Sequence, residues 1–237
     1  MTRLCVDPGE FALEELRLTG ARARRLTQVL RLRVGAQFTV FDGLGAERAA
    51  RVAQAAGGAV VLAFGHAVTP ALEPPLPVTL ACAFPRGDRG DWIVEKTTEL
   101  GVARIVPLLA ERSVLEPGAG RVERWRRVAI EAAEQCGRAR VPEIGGAVPA
   151  GALRLVAAIG ASMTVREVIG AALPPPSAVA VFVGPEGDWT APELAAHAAS
   201  GAVAITLGPR VLRVDTAAVV AVAQAIEATG GLGAPGR

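Results

Sequence analysis

From Val78 onward the chain alternates short apolar runs of strand character with longer stretches whose apolar residues recur at helical spacing, and nothing else in it constrains the fold so tightly. The strand-like runs are Val78–Phe84, Ala103–Leu109, Leu153–Ile159, Ala178–Val183 and Ala202–Leu207. Helical runs sit between and after them: Asp91–Leu100, stopped by Gly101, then Arg121–Arg138, Val165–Leu173, Ala191–Ser200 and Thr216–Ala228. The apolar stripe of the second of these runs Trp125, Val128, Ala129, Ala132, Ala133 and Cys136, which reads Cys136 as core rather than nucleophile. Strand and helix in alternation imply parallel strands with helices on both faces. In such an α/β fold ligands bind at the carboxyl ends of the strands.

The first 72 residues read differently. Gln37–Asp42 and Ala59–Ala67 alternate at strand period about a Gly43–Gly45 turn, which suggests a small β-rich domain. Leu26, Val29 and Leu30 stand at helical spacing ahead of a stop at Gly35. Pro70, Pro74, Pro75 and Pro77 then disfavour regular structure and mark a linker, giving domains at 1–72 and 73–237. The terminal GGLGAPGR, from Gly230, is expected to be disordered.

With 51% hydrophobic residues and a mean hydropathy of +0.37 the chain is apolar, yet no uncharged apolar run approaches the length of a spanning helix, and no membrane role is expected. The opening MTRLCVDPGE lacks the apolar core of a signal peptide, so the cytoplasm is the expected compartment. Cys5, Cys82 and Cys136 form no CxxC pair and only two histidines are present, so neither a metal site nor a disulfide framework is indicated. The net charge of +2 is mild but unevenly spread. Arg17, Arg22, Arg24, Arg25, Arg31 and Arg33 follow one another with no acid among them. A phosphate-binding face is one reading of this run, and a solvated helix in a chain with a single lysine is the other.

Two corners carry the candidate chemistry. Leu207–Thr216, LGPRVLRVDT, joins an apolar strand to an apolar helix, its glycine permitting close backbone approach and Arg210 and Arg213 offering planar donors. Gly184–Gly187, GPEG, ends another apolar strand, so the two corners suggest one shared pocket. Glu186 argues against a phosphate ligand and suits hydroxyl or ammonium groups; GPEG as a purely structural turn is the alternative. Asp188 and Thr190 are candidate caps of the next helix, and Glu95, Lys96, Glu111 and Arg112 read as structural charges more readily than catalytic ones. His66 and His197 are assigned no role.

Taken in order, VLRLRVGAQFTVFDG, KTTELGVARIVPLLAERS, RWRRVAIEAAEQCGRARVPEI, FVGPEGDWTAPE and LGPRVLRVDTAA resemble the RsmE family of SPOUT-class methyltransferases over nearly the whole chain. The resemblance implies methylation of uridine N3 in 16S ribosomal RNA of the small subunit, with S-adenosyl-L-methionine as cofactor and a homodimer as the working form. It also implies an N-terminal PUA-like β-barrel that docks RNA and an α/β domain ending in a deep trefoil knot. The cofactor positions it implies are Ile159 in a first loop spanning 159–162, Gly184, Pro185, Glu186 and Gly187 in a second, and Leu207, Gly208, Pro209, Val211 and Leu212 in a third. Arg22, Arg24, Arg25, Arg31, Arg33 and Arg210 are the expected RNA contacts. Arg213 would stabilise the uracil anion or orient RNA phosphate, and Asp215 or Glu186 would serve as base, unless Asp215 only holds Arg213. The chain departs from the family pattern at Asp188, where glycine is common, at Asp215, where glutamate is, and after Ile159, where a proline and polar residues are often found. The competing readings are a non-catalytic RNA-binding assembly factor on the same fold, and a nucleotide-binding enzyme that uses GPEG for phosphate.

Overall fold

In the computed structural model, which describes residues 2–70 and 73–233, the chain divides into two compact units, Met1–Leu72 with Ala133–Val141, and Glu73–Ala132 with Pro142–Arg237. In the first unit, alternating apolar residues build a five-stranded sheet from β1 (Arg3–Cys5), β2 (Glu15–Leu18), β3 (Gln37–Phe41), β4 (Glu47–Ala56) and β5 (Ala59–Val68), in the order β1-β3-β4-β5-β2. Leu16, Phe38, Val40, Val52 and Leu62 point to one buried face. The Asp42-Gly43 corner forms because Asp42 Oδ1 accepts from the N–H groups of Leu44, Gly45 and Ala46 at 2.8, 3.0 and 3.0 Å. Buried Arg48 donates to the carbonyls of Phe11, Leu13 and Gly65 at 2.8, 2.7 and 2.5 Å, and its guanidinium lies 5.2 Å from the Phe64 ring. It thereby ties α1 (Pro8–Phe11) and the turn after it to the sheet.

The helix read from Leu26, Val29 and Leu30 is not continuous. Helix α2 (Gly20–Arg24) passes into a π turn over Arg25–Val29, in which Leu30 N–H donates to Arg25 O at 2.9 Å. The extra residue in that turn shifts the phase, so Leu26 stays buried while Val29 is 73% exposed.

Residues 71 and 72, on which the expected domain boundary falls, lie outside the described residues. Beyond them Pro74 is packed rather than free: a Cβ added at Gly101, whose φ is 108°, would lie 2.7 Å from its ring. Only glycine satisfies both the left-handed turn that ends the next helix and that contact.

The second unit is a six-stranded, wholly parallel sheet of β6 (Val78–Cys82), β7 (Arg104–Pro107), β8 (Glu143–Ile144), β9 (Leu153–Ala157), β10 (Val179–Val183) and β11 (Val203–Ile205), ordered β11-β9-β10-β6-β7-β8. Every residue of β6 and β10 is buried, as expected of central strands covered on both faces. The sheet's helices are α3 (Arg89–Leu100), α4 (Ala119–Cys136), α5 (Val165–Ala171), α6 (Ala191–Ala199) and α7 (Val214–Ala228). Helix α7 packs on α3, α5, β6 and β10; Leu194 of α6 joins Phe182, Ala180, Val156 and Trp189 in a second cluster. The strands are one to three residues shorter than the apolar runs suggested, and β8 carried no signal of its own.

Two readings are corrected. Cys136 is exposed, not core: the stripe on α4 is buried at Trp125, Ala129, Ala132 and Ala133, half-buried at Val128, and runs out at the helix's final residue. Lys96, expected to be a structural charge, joins Glu95 and Glu99 at 2.7 and 2.8 Å, and those hydrogen bonds raise its pKa. The start of the expected disordered tail is folded back, with Gly231 N–H donating to Ile226 O at 2.7 Å; residues 234–237 lie outside the described residues.

Candidate active site

Strands β11, β9 and β10 are neighbours, so the segments that continue from them leave the sheet side by side at its carboxyl edge. Together they enclose a cavity of about 790 Å³. Both corners singled out in the sequence line it, and the loop after β9 stands between them. Of the expected cofactor positions, Ile159, Gly184, Pro185, Glu186, Leu207, Gly208, Pro209, Val211 and Leu212 line the cavity, and so do Arg210 and Arg213. The apolar side chains Ile159 and Val211 are 67% and 79% exposed at this cavity.

Gly187 and Asp215 are not among the lining residues. The Gly187 carbonyl instead accepts from Arg112 Nη1 at 2.6 Å, and a Cβ there would come within 3.0 Å of the Arg112 side chain. Arg112 therefore acts as a structural clamp on the corner. Asp215 sits in the first turn of α7 with Oδ1 buried and without a hydrogen-bond partner among the described residues.

The GPEG corner owes its shape to Asp188, Trp189 and Thr190, the three residues just beyond it. Asp188 N–H donates to Pro185 O at 2.9 Å, and Asp188 takes φ of 59°, the left-handed conformation that makes glycine a natural occupant. Its Oδ1 accepts from Trp189 N–H at 2.8 Å. Of the two candidate caps, Thr190 is the N-cap of α6, its N–H and Oγ1 both donating to Glu193 Oε2 at 2.8 and 3.0 Å. Those bonds, with one from Glu111 N–H at 2.8 Å, hold the Glu193 carboxyl below its ordinary pKa. Trp189, only 6% exposed, folds back under the corner and was not singled out from the sequence. A Cβ at Gly184 would lie 2.9 Å from the indole, so this glycine is required by packing behind the corner as well as by any ligand in front of it. His197 stands edge-on to the Trp189 and Phe182 rings at 4.8 and 5.0 Å, and burial is the main cause of its lowered pKa, with nearby Arg154 adding to it.

Cys5 and Cys82 are poor nucleophiles by environment. Burial pushes Cys5 up to about 12 and raises fully enclosed Cys82 further, with neighbouring carboxylates acting in the same sense.

In the first unit the expected RNA-binding arginines fall into two groups. Arg22 pairs with Glu10 through two hydrogen bonds, at 2.6 and 2.8 Å, and Arg25 pairs with Glu134 at 2.5 Å. The sequence reading missed these acids because they come from α1 and from the Ala133–Val141 segment. Arg24, Arg31 and Arg33 are exposed and have no carboxylate partner among the described residues.

Residues 72–226 match the family model described as an RNA methyltransferase domain, and residues 18–64 match one described as an RNA methyltransferase PUA domain. The chain is 36% identical over 232 residues to Ribosomal RNA small subunit methyltransferase E of Synechocystis sp., covering 94% of this chain and 76% of that one. It is 29% identical over 241 residues to the protein of the same name from Bacillus subtilis, covering 93% and 94%. The crystal structure of a Ribosomal RNA small subunit methyltransferase E from Neisseria gonorrhoeae bound to S-adenosyl methionine superposes with a TM-score of 0.83 at 32% identity, covering 94% of this chain and 95% of that one. Among the described residues, no helix is long and apolar enough to cross a membrane.

Proposed function

The chain belongs to the RNA methyltransferase family that includes Ribosomal RNA small subunit methyltransferase E, and on that premise we propose that it methylates N3 of a uridine in small-subunit 16S ribosomal RNA with S-adenosyl-L-methionine as donor. The observation that carries the reading is the cavity at the carboxyl ends of β9, β10 and β11, bounded by both glycine-proline corners. Its volume lies within the roughly 300–1,000 Å³ of small-molecule sites. Its lining fits this donor: Ile159, Leu207, Val211 and Leu212 offer apolar surface for a base, Glu186 and Asp188 offer negative charge for a sulfonium or ammonium, and Arg210, expected from the sequence as an RNA contact, lines the cavity and offers a partner for a carboxylate instead. S-adenosyl-L-methionine, when bound, supplies an electrophilic methyl group.

The chain's own task is then to hold uracil with N3 in line with that methyl and to take up the N3 proton. Arg213 lines the cavity, is exposed, and immediately precedes α7, where it can neutralise charge developing on uracil O2 or O4. Of the two carboxylates considered as base, Glu186 lines the cavity and Asp215 does not, so Glu186 is assigned the N3 proton and Asp215 a structural place in α7. Exclusion of water by the corners, and positioning, supply the rest.

The finer expectations belong to the same reading. The first unit is read as a PUA-like β-barrel that grips RNA through Arg24, Arg31 and Arg33, and the cavity loops as part of a trefoil knot. A homodimer in the cytoplasm is the expected working form. The segments beyond β9 and β11, which such a knot would include, are joined where Thr206 N–H donates to Met163 O at 2.8 Å.

Incubation with small subunits lacking the modification and a methyl-labelled donor should label the RNA. Arg213→Ala should lower kcat by on the order of 10²-fold, as loss of a charge-stabilising donor does, with a smaller change in donor affinity. Full turnover by that variant refutes the role of Arg213. Donor binding without any transfer favours the non-catalytic assembly factor instead.

A further inference from the structure

We infer that Trp189 is a positioning residue for the methyl donor: its indole is a strut that sets the spacing between the loops after β9 and β10 without itself lining the cavity. The inference rests on the proposed donor site. Indole Nε1–H donates to Ala157 O at 3.0 Å, and Ala157 is both the last residue of β9 and part of the cavity lining. The same ring lies against Gly184, the first residue after β10, so closely that a Cβ there would sit 2.9, 3.0 and 3.1 Å from three of its atoms. One rigid side chain therefore fixes the starting points of two of the three segments that enclose the donor.

The strut is itself fixed. Its backbone N–H is held by Asp188 Oδ1 at 2.8 Å, and the edge-on His197 ring stands 4.8 Å away. Arg112 anchors the carbonyl of Gly187 at 2.6 Å. Because the donor would rest on backbone that the indole's hydrogen bond and its contact with Gly184 hold in place, both act on affinity by preorganising that backbone.

Trp189→Phe keeps an aromatic ring under Gly184 and removes the donor to Ala157 O. In the full chain, calorimetric titration with S-adenosyl-L-homocysteine should show Kd raised roughly two- to tenfold, the range for one lost hydrogen bond. In turnover the KM for the methyl donor should rise by a similar factor, with the loss falling on KM rather than on kcat at saturation. Amide exchange should quicken at Ala158–Ala161. An unchanged Kd in a folded Trp189→Phe variant overturns the strut. Should that variant not fold, Gly184→Ala carries the test, because its methyl group points at the indole: weakened binding together with faster amide exchange at Ala158–Ala161, the segment beyond the indole's other contact, supports the inference, and either one unchanged overturns it. Failure of the unsubstituted chain to bind S-adenosyl-L-homocysteine would instead overturn the proposed donor site, so the two failures are distinct.

Discussion

Replacing Arg24, Arg31 and Arg33 together by Gln should flatten the salt dependence of RNA binding. These three side chains are exposed and lack carboxylate partners among the described residues, so each is free to displace a condensed counterion from a phosphate. For single-stranded RNA each such contact adds about 0.7 to the slope of log K against log salt, so the triple substitution should lower the slope by about 2. Between 50 and 200 mM salt, a fourfold change, binding by the unsubstituted chain should therefore fall about 18-fold further than that of the variant. The control is Arg22→Gln combined with Glu10→Gln, which removes a bidentate pair whose net charge is already zero and should leave the slope within about 0.5 of its starting value. Filter binding or fluorescence anisotropy on a small-subunit RNA fragment, titrated at several salt concentrations, measures both. Equal slopes for the triple variant and the unsubstituted chain, or a large change in the paired control, would refute the division into free and engaged arginines.

Two further outcomes are expected from the packing. Arg48→Met leaves the carbonyls of Phe11, Leu13 and Gly65 without their donor and should destabilise the first unit by about 3 kcal/mol, read by denaturant unfolding. His197 has its pKa depressed by burial and by Arg154, so the folded state prefers the neutral ring; stability should fall as pH drops below about 6.5, and His197→Gln should flatten that part of the profile.

The parallel sheet was legible because VTLAC and VAVFV are uninterrupted apolar runs between helical periods, the signature of strands covered on both faces. The sequence was silent on which strands are neighbours. The corners after β10 and β11 share a cavity only because β9 lies between them, an ordering that depends on the chain's path through space. Strand β4 escaped notice because its buried positions include Ala50, which adds little to a hydrophobic pattern, and the arginine-rich helix was misphased by its π turn at Arg25–Val29. At the site, the resemblance puts Gly184 and Gly187 among the cofactor positions, yet each has a side chain at its back, Trp189 and Arg112. Those partners are distant from, or offset in, the motif that was being read. Asp188 was visible as an unusual residue where glycine is common, and its φ of 59° supplies the reason.

The most direct test is a crystal structure of the chain grown with S-adenosyl-L-homocysteine. Density for the nucleoside between Gly184–Asp188 and Thr206–Arg213, with its sulfur facing the side on which Glu186 and Arg213 open, is the predicted result. A ligand bound elsewhere on the chain, with that cavity empty, would contradict the account.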